Sequence, residues 1–109
     1  MRILILVLLL ALTTHAMSQN IAVWGYGATV SCGGWLADRK EGGIREQIGK
    51  HWILGFLSGQ AFNSKVSVLY GSEPEGIFAE IDKYCRENPR KYVTQAAIVV
   101  FKKISDEHN

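Results

Sequence analysis

The chain has 109 residues, 48% of them hydrophobic and 20% charged, which suits one globular domain. Its 12 basic and 10 acidic side chains give a formal net charge of +2. No polybasic run stands out, so the charge pattern lacks the basic footprint of proteins that bind nucleic acid or anionic membranes. We expect neither as a partner.

The first 18 residues have the layout of a secretory signal peptide. Arg2 precedes an unbroken apolar run, and small residues follow at Ala16 and Ser18. The run is about ten residues long, too short to cross a hydrocarbon core that needs roughly twenty. We predict a cleaved signal peptide over residues 1–18, export of the protein and one mature domain over 19–109. An uncleaved anchor is the less favoured alternative.

Two cysteines remain in the mature chain, Cys32 and Cys85. In an exported protein such a pair predicts a disulfide before it predicts a catalytic or metal site. Closing a ring of this size stabilises a small domain by about 4 kcal/mol in loop-entropy estimates. We therefore predict a structural bridge.

The periodicity predicts an all-α domain of four helices after a glycine-punctuated arm at 19–31. Trp24 and Tyr26 in that arm either cover the core or face a partner. The first helix spans about 33–40, with Ser31 as its N-cap and Trp35 in the core. The third helix follows Ser72 and Glu75, which have the spacing of a capping box, and has an apolar face at Ile77, Phe78, Ile81, Tyr84 and Cys85.

The fourth helix is expected to start at Asn88 and Pro89 and to bury Val93, Ala97, Val100, Phe101 and Ile104. Its run "AAIVVF" is compatible with a strand by propensity. The length of the segment and the residues that flank it favour a helix.

The second helix, 44–62, is predicted to be the centre of the core. One arc of about 120° carries seven residues that we expect to pack inside: Ile44, Ile48, Trp52, Gly55, Phe56, Gly59 and Phe62. The opposite side is apolar as well, with Ile53, Leu54, Leu57 and Ala61. Gly55 and Gly59 lie one turn apart and allow a close helix–helix contact. A self-association face is the alternative interpretation of the two glycines, so a homodimer is a candidate assembly.

Catalytic and metal chemistry find little support in the sequence. Ser58 lacks the flanking glycines of a nucleophile elbow, because Phe56 and Gln60 occupy those positions. His51 could serve a catalytic cysteine only if the disulfide were reduced. The spacing of His51 and His108 relative to the cysteines matches no zinc pattern. We predict no enzyme activity, no catalytic residues, no cofactor and no metal.

The motifs "GYG…SCGGW", "WILGFLSG" and "YCRENP" together resemble small exported bacterial proteins that are similar to the Tai-type immunity proteins of type VI secretion. The resemblance covers about residues 25–104. It implies a periplasmic, all-helical and often dimeric protein that binds and neutralises a peptidoglycan-cleaving amidase. It assigns Cys32, Gly55, Gly59 and Cys85 to structure and identifies no partner-binding residue.

A weaker resemblance is to the acid-stress chaperones of the HdeA type, which are exported helical domains of similar size with one disulfide. These proteins loosen at low pH and expose apolar surface to their clients. Such a switch needs native carboxylates whose protonation unbalances the fold. An acid-stress chaperone is therefore the alternative function.

Overall fold

The computed structural model describes residues 22–67 and 69–108. The predicted signal peptide lies outside the described residues. Five helices and no strand are present in the described ranges: α1 Tyr26–Thr29, α2 Cys32–Glu41, α3 Ile44–Ser64, α4 Pro74–Glu87 and α5 Val93–Glu107. The all-α prediction and its four helices are confirmed, while the one-turn α1 was not predicted.

Local chemistry explains where α2 and α3 begin and end. The Ser31 hydroxyl accepts a hydrogen bond from the Gly34 amide at 3.1 Å, as expected of an N-cap. The turn from α2 to α3 places Gly42 and Gly43 at φ angles of 74° and 84°, a region that favours glycine. Lys65 ends α3 in the left-handed conformation. These signals lie in the sequence next to the helix ends that they set.

Two predicted helix starts are wrong. The N-cap position of α4 is Glu73 and not Ser72. Asn88 ends α4, with its side-chain amide donating to the Tyr84 carbonyl at 3.0 Å, and α5 begins only at Val93. The intervening residues are held by the first turn of α2, whose free amides donate to the carbonyls of Lys91 (2.7 Å) and Pro89 (3.0 Å). A non-local contact therefore delays the start of α5.

The core is centred on α5, which packs against each of the other four helices. The prediction that α3 is the central helix is wrong. Cys32 and Cys85 form the predicted disulfide, and both are fully buried. The bridge joins the start of α2 to the end of α4 across a sequence separation of 53 residues. Trp35 is fully buried beside Phe78, as predicted for the core.

The face of α3 that is buried differs from the predicted one. Its buried residues are Gly49, Ile53 and Leu57, which lie one turn apart. Gly55 and Gly59 are exposed, and a Cβ atom built on either would have no neighbour within 4 Å. They make no helix–helix contact in the domain, so the prediction that they pack in the core is wrong.

Two other glycines take the packing role. A Cβ atom on Gly49 would lie 2.8 Å from the Tyr26 ring and 2.9 Å from the Trp35 ring. A Cβ atom on Gly27 would lie 2.1 Å from the Trp52 ring. Real Cβ atoms do not approach so closely, so these two positions require the absence of a side chain. The α1 turn is thereby pressed against α3.

Candidate functional site: an uncharged surface on α3 and the adjoining groove

The exposed face of α3 carries a stripe of apolar residues and glycines, bordered by the exposed polar residues Gln47, His51 and Ser58. At 100° per residue its apolar members fall within an arc of about 60° opposite Ile53. We call it the α3 stripe, formed by Ile44, Ile48, Gly55, Gly59 and Phe62. Ile44 is 78% exposed and Phe62 88% exposed. The other described residues leave all five members of the stripe exposed.

Trp52 and Phe56 lie beside the stripe, on the flank between the buried and exposed faces. Their rings stack with centroids 4.9 Å apart. The Trp52 indole N–H donates to the Trp24 carbonyl at 2.8 Å and so holds the arm, while the Trp24 side chain is 84% exposed. The prediction that these two aromatic residues pack is correct in part, because both are half-buried at the edge of the core. Tyr26 is buried, so the two arm aromatics separate into one core and one surface residue.

A groove of about 830 Å³ opens between α3 and α5. We call it the α3–α5 groove, and its lining comes from the arm, α1, α3 and the first half of α5: Val23, Ala28, Gly55, Phe56, Gly59, Gln60, Asn63, Tyr92, Thr94, Gln95 and Ile98. Every lining residue is uncharged. Ligand pockets in proteins range from about 300 to 1,000 Å³, so this groove is large enough to hold part of a partner molecule.

Two residues that line the groove each have a side-chain oxygen without a hydrogen-bond partner among the described residues. The Thr94 hydroxyl and the Gln60 side-chain oxygen are both buried, and neither has a protein partner. Thr94 as a whole is only 9% exposed. Most buried polar side-chain atoms in proteins are paired, so unpaired groups require an explanation. Both residues line the groove, but the two oxygens themselves are shielded from solvent and are not presented to a molecule in it.

The uncharged character of this surface has a signal in the sequence that our sequence interpretation missed. Residues 22–37, 51–64 and 92–101 contain no Asp, Glu, Lys or Arg. All eleven groove residues come from these three stretches. In each stretch some side chains are exposed, although the chain as a whole is 20% charged. The fold brings members of all three stretches together around the groove.

Charged residues form hydrogen bonds and ion pairs between helices outside this uncharged surface. The buried Tyr26 hydroxyl donates to Asp38 at 2.6 Å, and Arg45 donates to the same carboxylate at 3.2 Å. Burial and the hydrogen bond to Asp38 raise the pKa of Tyr26 well above its usual range. Asp82 accepts from the Trp35 indole N–H at 2.7 Å and from Arg39 at 2.8 Å. These bonds link α1 to α2, α2 to α3 and α2 to α4.

Arg39 and Lys50 extend this network. Arg39 lies 3.6 Å from Glu46, and Lys50 lies 3.7 Å from Glu46 and 3.6 Å from Glu75. The hydrogen bond to Asp82 is the main cause that raises the pKa of Arg39. Every carboxylate in this cluster has a cation beside it, which is the arrangement of a structural network.

The residues weighed for catalysis are not brought together. The Ser58 hydroxyl donates to the Leu54 carbonyl of its own helix at 2.6 Å, and His51 is exposed on the same helix. The described residues contain no group of three or more His, Cys, Asp or Glu side chains that could hold a metal ion. Within the same ranges no helix combines the length and apolar character of a membrane span.

Comparisons with known proteins give no assignment. No family model, no curated protein and no solved structure matches the chain. The likeness to Tai-type immunity proteins and the likeness to HdeA-type chaperones therefore stay predictions from the quoted motifs.

Proposed function

We propose that the chain is a non-enzymatic periplasmic binding protein that attaches to a partner protein and neutralises it. The observation that carries this proposal is the α3 stripe, which is apolar, exposed and located on the longest helix of the domain. Monomeric proteins rarely expose large continuous apolar patches unless those patches bind something. Depletion of charge at the centre of a patch is typical of protein–protein interfaces.

The dimensions of the surface favour a macromolecular partner. The stripe extends from residue 44 to residue 62, or about 27 Å at a rise of 1.5 Å per residue. One partner contributes roughly 800 Å² to a specific interface, a patch about 28 Å across if it is square, so the stripe has the length of such a patch. A small molecule would cover only part of it.

The buried disulfide supports an oxidising compartment, because disulfides are rare in the cytosol. The sequence resemblance narrows the partner to a peptidoglycan-cleaving amidase delivered by a competing cell. We accordingly propose an immunity protein, with the α3 stripe and the α3–α5 groove as its binding surface. A second copy of the chain is the competing occupant of the same stripe.

The test is co-expression with candidate amidases encoded beside the gene, each directed to the periplasm. We expect one amidase to lyse cells alone and to be tolerated with the immunity protein, and the purified pair to bind with nanomolar affinity. Phe62→Asp should abolish the rescue, whereas Val99→Asp, an exposed apolar position of α5 outside the groove, should not. Failure of the wild-type protein to rescue cells from any such amidase would refute the proposal. If Phe62→Asp instead converts a dimer to a monomer and rescue persists, the stripe is a self-association face.

The alternative, an acid-stress chaperone, is favoured by one observation. Asp38 and Asp82 connect helices through hydrogen bonds that each carboxylate accepts from α1, α2 or α3. Links of this kind, which surround Trp35, are what a chaperone activated by loosening would have to release. A chaperone should suppress light scattering by an aggregating client near pH 2–3. No suppression at a twofold molar excess would dismiss this alternative.

A further inference from the structure

The disulfide is buried in the interior of the domain. Cys32 and Cys85 are both 0% exposed, and the chain contains no other cysteine. Thiol–disulfide exchange requires a thiolate to reach one of the two bonded sulfur atoms. A reductant cannot do so while the helices are packed around the bridge. The oxidation state of the two cysteines is therefore decided when the chain is open.

The bridge lies beside a junction between the start of α2 and the start of α5. We call this junction the clasp, and it consists of residues 30–33 and 89–93. Three backbone hydrogen bonds cross it: Cys32 N–H to the Lys91 carbonyl at 2.7 Å, Gly33 N–H to the Pro89 carbonyl at 3.0 Å, and Val93 N–H to the Val30 carbonyl at 3.1 Å. Cys85 stands four residues before Pro89. The disulfide therefore ties the first segment of the clasp to α4, the helix that leads into the second.

The clasp positions a large part of the domain. It sets the first residue of α5, the helix that packs against each of the other four. Tyr92 in the clasp, and Thr94 and Gln95 just after it, line the α3–α5 groove. The positions of α5 and of this wall of the groove therefore depend on the clasp.

The hydrogen bonds of the clasp are weak compared with the bridge. A backbone hydrogen bond shifts a folding equilibrium by about fivefold. Loop-entropy estimates for a bridge across a sequence separation of 53 residues correspond to roughly a thousandfold. Small domains are only marginally stable, and loss of a native disulfide from a small exported domain often abolishes folding. Reduction would also leave two thiols, which need more room than a bonded pair, inside a packed core.

From these observations we propose that oxidation of Cys32 and Cys85 gates the folding of the domain. The reduced chain does not hold the clasp and does not form the binding surface. Oxidation joins the two sulfur atoms and removes two electrons and two protons from the thiols. A disulfide oxidant, such as oxidised glutathione, accepts both and becomes a pair of thiols. Packing of the helices then encloses the bridge, so the gate works in one direction, from an inactive reduced chain to a folded protein that stays oxidised.

The first test is refolding of the mature protein from denaturant, either in a glutathione redox buffer or with dithiothreitol. We expect the oxidised protein to unfold cooperatively on heating and to show the near-ultraviolet circular dichroism of the buried Trp35. The reduced protein should lack that signal and show no cooperative transition above about 37 °C. Cys32→Ala/Cys85→Ala controls for the reductant, because it has no thiols and should be unfolded in both buffers.

The second test measures how the folded protein is reduced. Dithiothreitol is added to the oxidised protein at a concentration where reclosing outpaces attack on the bridge, and free thiols are trapped with a maleimide. Reduction through global opening should follow stability. Leu57→Ala, on a helix without a cysteine, should then be reduced at least about thirtyfold faster than wild type. Ile48→Ala is the matched control on the exposed face of the same helix, and its rate should stay within about twofold of wild type.

The proposal is overturned if the reduced wild type or the double alanine variant retains a cooperative unfolding transition above about 37 °C, because the bridge is then not needed for folding. It is also overturned if wild type and Leu57→Ala are reduced at the same rate, which would show that the bridge opens by a local movement. Neither experiment uses a partner, so both outcomes are independent of the immunity function. Absent amidase rescue by the oxidised wild type would refute that function and leave the gate untouched.

Discussion

The two faces of α3 are similarly apolar in sequence and opposite in role. Gly49, Ile53 and Leu57 are buried against the other helices, whereas Ile48 and Phe62 on the far side are exposed. Hydrophobicity alone predicts that both faces are inside. What distinguishes them is their neighbours, because α1, α2 and α5 pack on one side, whereas the residues that the structure describes leave the other side exposed. An apolar face can therefore belong to the core or to an interface that awaits a partner.

Substitutions on the two faces should differ most in their effect on stability. Leu57→Ala removes a fully buried side chain and leaves a cavity, so we expect the free energy of unfolding to fall by about 2–5 kcal/mol. Ile48→Ala on the exposed face should change it by less than about 0.5 kcal/mol. Urea denaturation of both variants measures the difference. Equal losses would contradict the assignment of the faces.

Glycine-to-alanine substitutions sharpen the same comparison within one helix. Gly49→Ala forces a methyl group against the buried Tyr26 and Trp35 rings, and overpacking of this kind costs about 1–3 kcal/mol. Gly55→Ala should instead stabilise by up to about 1 kcal/mol through helix propensity. The two changes in unfolding midpoint should therefore have opposite signs. A loss of stability in Gly55→Ala would show that Gly55 packs against another part of the domain, contrary to this account.

Thr94→Val tests whether the unpaired hydroxyl beside the groove affects stability. Removal of an unpaired buried hydroxyl at nearly constant volume should leave the free energy of unfolding unchanged or raise it by about 1 kcal/mol. A decrease of similar size, measured by the same denaturation experiment, would show that the hydroxyl has a partner within the domain.

The smallest expected effect concerns Tyr26, which packs on the buried face of α3. Its raised pKa means that the folded state keeps the phenol protonated at a pH where the unfolded chain ionises. This stabilisation is complete below the unfolded pKa of about 10 and is lost as the pH rises above it. The melting temperature of wild type should therefore fall more steeply above about pH 10 than that of Tyr26→Phe. Parallel curves would contradict the buried hydrogen bond to Asp38.

Much of the fold could be predicted because its signals are local. The Ser31 cap, the Gly42–Gly43 turn and the cysteine pair lie in or next to the elements that they define. The start of α5 could not be predicted, because the first turn of α2 holds Pro89 and Lys91 through hydrogen bonds between segments distant in sequence. The buried face of α3 could not be predicted for the same reason. It depends on contact with α1, and a helix of a single turn has no periodicity that the sequence could reveal.

The candidate site was harder to predict than the fold. Gly55 and Gly59 were conspicuous in the sequence, but their spacing fits a helix contact inside the domain or outside it equally well. The charge-free stretches 22–37, 51–64 and 92–101 were visible too. A stretch without charge can be buried in the core or lie at the surface. Only the structure, in which members of all three stretches line the α3–α5 groove, shows that they share a surface.

The central claim is that the exposed face of α3 serves a partner and contributes little to the fold. The most direct test measures the unfolding midpoint of Phe62→Asp and its affinity for the amidase that we propose as the partner. We predict an unchanged midpoint and an affinity reduced by at least about tenfold, the loss expected when a charge is placed in an apolar contact. A lowered midpoint with unchanged affinity would contradict the claim and place Phe62 in the structural core.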